Sequence, residues 1–409
     1  MRRMKEETAR LITPLVALSR RYGADPAWVL AGGGNTSFKT AETLFVKASG
    51  FALGSIEADG FCEVDRKKLD AIWEKRYPTD VAAREDAALA DLMAARVPGE
   101  TKRPSVETLL HGFFPQAFVV HTHPTLVNGL TCGRDGESAF RRLFGERGIW
   151  VPFVDPGFTL AKAVREIFDD FVARKGRAPS VMFMQNHGLL VAGDSPEEID
   201  AASAEIMGRL RAEVEASGIH QPDERAAAVD ATSLSGFIAA LGDLAGESAF
   251  ILHRADRMTL GFAESADAFA PISLPYSPDH IVYAGHEYLR VDGAAGIGAA
   301  EPPEGSEARR PSSLREAWAD YRARNGAAPR LVLAKGLGCF AIAAGGASDP
   351  AAKLAAATAA GRILDLFIDS CKVATYAQAF GGPLFMSPSA VAFIRNWEVE
   401  KYRAALAAR

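Results

Sequence analysis

The sequence predicts an α/β protein on three observations. Stretches with helical apolar spacing alternate with short β-rich runs, the runs are closed by Gly, Pro, Ser or Asn, and one helix–turn–strand unit recurs later in the chain. The elements follow in chain order. Leu11, Leu15 and Leu18, interspersed with Lys5, Glu6, Arg10 and Arg20, predict an opening helix that ends near Gly23. Pro14 either kinks this helix or marks a later start. A glycine-dense turn over Ala31–Ser37 leads to a strand at Thr43–Lys47, which ends at Ser49-Gly50. Helical spacing returns over 80–96, and Pro104–Leu110 reads as a loop opening another helix. Ala117–His123 is a β-rich strand closed by Pro124. A helix at 160–175 then passes through Gly176 and Pro179 into the strand Val181–Met184.

The recurrence appears when 164–188 is laid on 314–338 without a gap. Nine residues match their partners 150 positions on: Arg165, Glu166, Asp170, Ala173, Arg174, Gly176, Ala178, Pro179 and Gly188. Duplication explains a helix, a turn and a strand that all stay in register better than the chance likeness of two Ala- and Arg-rich helices. Pro302, Pro303 and Gly305 predict an exposed loop before the second copy. A domain boundary is expected within 218–232, where Gly218, Pro222 and several charges interrupt the apolar pattern, giving domains 1–225 and 226–409.

A chain of 409 residues is long enough for about two domains. Its 48% hydrophobic and 24% charged residues exclude general disorder. The balance of 46 basic against 51 acidic residues, net −5, offers no wide basic surface, so a nucleic-acid partner is not expected. Cys62, Cys132, Cys339 and Cys371 are far apart and form no CxxC, which predicts reduced thiols in a cytoplasmic protein. Charges interrupt Met1–Tyr22, and no run approaches the roughly 18 apolar residues of a membrane span, so neither a signal peptide nor membrane insertion is expected.

His121 and His123 lie two apart on a predicted strand, so both imidazoles face the same way, as a chelating pair does. His187, in Asn186-His187-Gly188 after the strand 181–184, can be brought alongside them by a neighbouring strand. Neutral imidazole is the commonest transition-metal side-chain ligand, and three protein ligands leave a position open for substrate. Any one of these histidines, taken alone, is more often a plain hydrogen-bonded residue. Glu107, in Pro104-Ser-Val-Glu-Thr-Leu-Leu-His111, is either a ligand or proton shuttle, or a helix-start glutamate; Ser105 suits a cap or an anion contact. Gly32–Ser37 and Ser49-Gly50 are small-residue turns whose backbone N–H groups suit a phosphate or carboxylate, or else serve as turns only. Neither GxGxxG nor GxxxxGK is present in them.

The ordered set Gly34-Asn-Thr-Ser37, Lys47-Ala-Ser-Gly50, Pro104-Ser-Val-Glu107, His121-Thr-His123 and Asn186-His-Gly188 resembles the class II aldolase/adducin family over about residues 8–215. Within it, the chain is most similar to the aldolase portion of bacterial rhamnulose-phosphate aldolase/dehydrogenase fusions, which Ser277-Pro-Asp-His280 and Trp397–Lys401 also resemble. The resemblance stops short of any dehydrogenase domain, so nicotinamide chemistry is not implied. The resemblance implies an α/β/α layered domain around a mostly antiparallel central sheet. It implies metal ligands at His121, His123 and His187, a catalytic acid/base at Glu107, and phosphate contacts at Gly34, Asn35, Ser49, Gly50 and Ser105. Where many members have a second serine, this chain has Val106.

The implied cofactor is a divalent metal, zinc first, with manganese or cobalt as alternatives. The implied reaction is cleavage of a ketose 1-phosphate or related sugar phosphate to dihydroxyacetone phosphate and an aldehyde, through a metal-stabilised enediolate. Alternatives on the same site are a sugar-phosphate dehydratase or 4-epimerase, or a non-catalytic adducin-like scaffold; the epimerases typically carry aspartate where Glu107 stands. The resemblance also implies a small-molecule sugar phosphate partner and a homo-oligomer, dimer or tetramer. In the second half, Leu337 takes the place of His187. If Ile281–Gly285 is the counterpart of Val119–His123, Tyr283 and Gly285 replace the ligand pair. The second half is therefore expected to be a degenerate aldolase-like domain without metal ligands. His280 and His286 are either structural or within reach of an active site.

Overall fold

The computed structural model describes residues 8, 10–246, 248–292, 313–345 and 349–397. The expected loop at Pro302, Pro303 and Gly305, and the residues Glu398–Lys401, lie outside them. The chain packs as two units, Met1–Ile219 with Ala377–Gly382, and His220–Tyr376 with Pro383–Arg409. No helix among the described residues is long and apolar enough to cross a membrane.

The first unit is built on strands β1 (Asn35–Lys39), β2 (Thr43–Lys47), β3 (Phe61–Asp65), β4 (Phe118–Thr122), β5 (Gly148–Val151), β6 (Val181–Met184) and β7 (Gly188–Gly193). They form one mixed seven-stranded sheet in the order β3-β2-β1-β4-β7-β6-β5. The β5–β6 pairing is parallel and the other pairings among the described residues are antiparallel. The helices are α1 (Thr13–Gly23), α2 (Arg66–Ala71), α3 (Val81–Ala94), α4 (Thr108–Phe113), α5 (Thr125–Thr131), α6 (Gly136–Leu143), α7 (Phe158–Lys175) and α8 (Pro196–Ala216). Pro14 sits in the first turn of α1, where its missing N–H costs nothing; Arg10 and Leu11 before it are also helical, with a turn at Ile12 between.

Side-chain alternation divides the sheet into two buried faces. Leu44, Val46, Val119, Met182 and Leu190 pack with Leu109, Leu110 and Phe114 from the α4 segment and Leu160, Val164 and Phe168 of α7. Helices α1 and α8 pack together and against β4 on the opposite face. Each such aliphatic or aromatic side chain contributes about 1.5–3 kcal/mol on full burial, and that packing holds the ends of the strands in place.

Two helix starts show how local sequence sets these elements. Ser195 accepts a hydrogen bond from the N–H of Glu198 and caps α8, with Pro196 in its first turn. The start of α7 is capped from elsewhere in the chain: the buried Glu85 carboxylate accepts from the N–H groups of Phe158 and Thr159, at 2.6 and 3.0 Å. Gly176 ends α7 in the left-handed conformation.

The second unit contains α9 (Ala231–Ala245), β8 (Phe250–Arg254), α10 (Arg257–Ala263), α11 (Ala266–Phe269), β9 (Leu289–Val291), α12 (Leu314–Asn325), β10 (Leu331–Ala334), β11 (Gly338–Ala343), α13 (Pro350–Ala377) and α14 (Pro388–Asn396). Its sheet has the order β8-β11-β10-β9, with β9–β10 parallel and the other two pairings antiparallel. This is the order and sense of β4-β7-β6-β5. The registers agree as well: Val181 pairs with Val191 and Leu331 with Ala341; Thr122 pairs with Leu189 and Arg254 with Cys339. Gly326 ends α12 in the left-handed conformation, as Gly176 ends α7. Trp318, Tyr321, Val332 and Phe340 are buried in this unit's own core with Phe237 and Leu241.

One expectation is corrected by that register. Residues 281–285 are not a strand; His280–Ala284 form a π-helical turn, and β8 is the strand paired as β4 is. Tyr283 and Gly285 therefore do not stand at the positions of His121 and His123. His253 lies opposite Phe340 as His121 lies opposite Leu190, and two residues further the chain has Ala255. His280 is buried between Ser277 Oγ (2.8 Å) and Asp369 (3.1 Å), and His286 Nε2 bonds Asn325 Oδ1 at 2.8 Å; all three bonds lie within the second unit.

Candidate metal centre

Strand register carries the scattered motifs to one end of the first sheet. Ser37 pairs with Val46, so the start of β1 lies beside the end of β2, where Ser49 and Gly50 follow. Asn35 pairs with His121, and Thr122 pairs with Leu189 at the start of β7. The β6–β7 turn is closed by the His187 N–H donating to Met184 O at 3.1 Å, and Asn186 takes a left-handed φ of 53°, which asparagine tolerates. Two glycines make the approach possible. A Cβ on Gly188 would lie 2.7 Å from the His123 ring, and one on Gly34, at φ +69°, would lie 2.8 Å from the carbonyl oxygen of His121.

His121, His123 and His187 each offer a ring nitrogen, all within 4.8 Å of one another. The Nε2 atoms of His121 and His123 are 2.9 Å apart. The Nδ1–H of His121 donates to Leu189 O at 3.0 Å, so its Nε2 presents a lone pair to the cluster. Burial pushes the His121 imidazole down to about 3 and, with its neighbouring histidines, outweighs the opposing Glu107 charge, so the ring is neutral at pH 7. A neutral His121 whose free nitrogen faces two further ring nitrogens is what a divalent cation requires, and this donor set fits one.

Glu107 precedes α4 and faces the cluster. Its Oε1 lies 3.1 Å from His187 Nε2 and 3.4 Å from His121 Nε2, yet it is buried and accepts no hydrogen bond. Its Oε2 accepts from Asn35 Nδ2 at 2.6 Å. Burial opposes ionisation, but His121, His187 and the Asn35 amide outweigh it and hold the carboxyl well below its ordinary value. The site thus holds a carboxylate with one oxygen satisfied and the other aimed at the imidazoles.

The residues expected to contact phosphate divide into two groups. An isolated bridge between Ala48 and Pro104 sets Ser49 and Gly50 beside Ser105: Ser49 N–H donates to Arg103 O at 2.8 Å, and Ser49 Oγ lies 3.4 Å from Pro104 O. Ser105 Oγ accepts from Glu107 N–H at 3.2 Å, a capping contact that leaves its own proton to donate. The Asn35 side chain is different, because both ends of its amide are committed, to Glu107 and to His111. As a side chain it holds the carboxylate rather than reaching for a phosphate. His111 was legible only as a residue four beyond Glu107, a spacing that places two side chains on one face of a helix.

Residues 14–207 match the family described as Class II Aldolase and Adducin N-terminal domain. Over 196 residues the chain is 35% identical to the Uncharacterized oxidoreductase YuxG of Bacillus subtilis (strain 168), covering 46% of this chain and 27% of that protein. The chain thus spans about a quarter of the length of that relative. Among solved structures, the N-terminal class II aldolase domain of a conserved protein from Thermoplasma acidophilum is 30% identical, covering 50% of this chain and 93% of that one, with a TM-score of 0.42. The l-fuculose-1-phosphate aldolase from Thermus thermophilus is 16% identical, covering 50% and 94%, with a TM-score of 0.31. Through residues 14–207, the chain belongs to the class II aldolase and adducin family.

Proposed function

We propose that the first unit is a metal-dependent carbon–carbon lyase that cleaves a ketose 1-phosphate, or a related sugar phosphate, to dihydroxyacetone phosphate and an aldehyde. The observation that carries this reading is the convergence of three imidazoles on a carboxylate whose buried Oε1 accepts no hydrogen bond. His121, His123 and His187 would hold the divalent cation, zinc before manganese or cobalt. When bound, it supplies Lewis-acid stabilisation of the negative charge that develops on the substrate's carbonyl oxygen.

The chain's own residues supply the rest. Glu107 takes up at Oε1 the proton that the substrate's hydroxyl releases as the carbon–carbon bond breaks and returns it to the carbon left behind, or removes that carbon-bound proton in the synthetic direction. Asn35 keeps Oε2 occupied, so the proton is handled at the oxygen that faces the histidines. Ser49, Gly50 and Ser105, drawn together by the Ala48–Pro104 bridge, take the phosphate with the Gly50 N–H and the serine hydroxyls, the Ser49 N–H being held by Arg103 O, and Gly34 lets β1 approach β4 closely.

The second unit, in this reading, is a copy of the metal-bearing part of the first that has lost the metal. The shared strand order and register support it. So does its chemistry: Leu337 replaces His187, Ala255 stands two residues beyond His253, and the Nε2–H of His253 donates to Leu337 O at 2.7 Å instead of presenting a lone pair.

The test is a panel of ketose 1-phosphates assayed for release of dihydroxyacetone phosphate by zinc-loaded protein, beside Glu107→Gln. Release that is lost in the variant, with bound metal retained, supports the reading. Failure of the wild-type protein to bind zinc, manganese or cobalt at neutral pH overturns it.

A further inference from the structure

Behind Glu107 lies a chain of side-chain hydrogen bonds whose direction can be worked out from one end. Glu107 Oε2 lies 2.6 Å from the side-chain amide of Asn35. The amide's Nδ2 is the atom that donates to this carboxyl oxygen, so Oδ1 faces the other way. Oδ1 meets Nε2 of His111. An amide oxygen only accepts, so Nε2 of His111 carries the proton. Burial, helped by the charge of Lys39, pushes His111 down to about 3 against the pull of Glu107, so the ring is neutral and its Nδ1 has a lone pair. That lone pair faces Ser37 Oγ at 2.7 Å, which therefore donates. His111 and Ser37 are fully buried and Asn35 nearly so.

We propose that His111 is a positioning residue for proton transfer by Glu107, acting through Asn35. The donors run in one sense, Ser37 to His111 to Asn35 to Glu107. An Asn35 amide turned by 180° would set its oxygen against the carboxylate and its NH₂ against the His111 N–H, two repulsive contacts in a buried site. The proton on His111 Nε2 thus locks the amide, the amide ties down Oε2, and Oε1 is left as the oxygen that exchanges protons. Ser37 and Asn35 lie two apart on β1, so both side chains reach the same face, and His111 sits one turn of α4 beyond Glu107. The inference rests on the reading of Glu107 as the proton-transfer group.

The experiment has two readouts. In metal-free protein labelled with ¹⁵N-histidine, the His111 ring should show a protonated Nε2 and an unprotonated Nδ1, and this tautomer should persist between pH 7 and pH 5. A protonated Nδ1 with a bare Nε2 overturns the proposal whatever the enzyme's activity. In zinc-loaded protein assayed with whichever panel ketose 1-phosphate turns over, His111→Leu should lower kcat by about 10- to 100-fold with KM changed less than about threefold, the scale of a misplaced reacting group. His111→Gln, whose amide nitrogen can occupy the place of Nε2, should recover most of that loss, which mere filling of space would not do. If His111→Leu folds, binds zinc and keeps the wild-type kcat while Glu107→Gln is inactive, the role of His111 falls and that of Glu107 stands. If Glu107→Gln keeps full activity, the underlying reading falls, and the tautomer still decides the direction of the hydrogen bonds.

Discussion

Nδ1 of His121 lies 3.0 Å from the backbone carbonyl oxygen of Leu189 on the neighbouring strand. The antiparallel register of β4 on β7, Thr122 opposite Leu189, sets that contact and turns Nε2 toward His123 and His187. Each of the three rings should therefore matter to metal binding. His121→Ala, His123→Ala and His187→Ala are each expected to weaken zinc affinity by more than about 100-fold, beyond what losing an outer hydrogen-bond partner usually costs. Calorimetric titration of metal-stripped protein measures it; wild-type affinity in all three variants would remove the metal centre.

Gly34 and Gly99 form a matched pair for testing the close approach of β1 to β4. Both have a left-handed backbone, φ +69° and +87°, but a Cβ at Gly34 meets the His121 carbonyl at 2.8 Å, whereas one at Gly99 meets nothing within 4 Å. Gly99→Ala should cost only the backbone strain, about 1 kcal/mol. Gly34→Ala adds a backbone clash and should cost about 2–3 kcal/mol or more, with loss of zinc affinity. Urea unfolding of the two variants separates them, and equal costs would mean that β1 has room to move.

Acid should destabilise the metal-free protein through its buried imidazoles. His111 and His121 are both held down to about 3, below the ordinary value near 6.5. Between those values the unfolded chain binds more protons than the folded one, so stability is fully present above pH 6.5 and is lost as pH falls toward 3. Each ring contributes a slope of up to about 1.4 kcal/mol per pH unit in that window. His111→Gln should remove one ring's share of the slope, as measured by urea titrations at pH 7, 6 and 5. An unchanged slope would show that this ring is already protonated in the folded protein.

The second unit should be indifferent to metal. His253 spends Nε2–H on Leu337 O, and the residue two beyond it is Ala255. His253→Ala is expected to leave zinc stoichiometry and affinity unchanged while costing about 1 kcal/mol for the lost hydrogen bond. A fall in bound zinc would contradict the reading of this unit as a copy without a metal site.

Much of the fold was legible because it is local. The period-two pattern over Ala117–His123 puts His121 and His123 on one side of a strand in any context, and Gly176 and Pro179 end a helix by the backbone rules of those two residues. The pairing of Asn35 with His121 was not legible, because register depends on which strand lies alongside. The resemblance implies Asn35 as a phosphate contact, and the register adds that its side-chain amide bonds Glu107 and His111. For the same reason, the apolar run at 281–285 reads as a strand, while the strand that pairs with β11 as β4 pairs with β7 is Phe250–Arg254: apolar runs look alike in sequence, and only hydrogen bonding distinguishes them.

By itself, the sequence determined the α/β class, the order of most elements, the family resemblance and the identities of the residues able to bind a cation, all properties of spacing and side-chain chemistry. Tertiary structure alone decided which of those residues meet. The distance between Asn35 and Glu107, and the nitrogen on which His121 carries its proton, are set by strand register and by a backbone carbonyl from another segment. The chain supplies such partners only once it has folded.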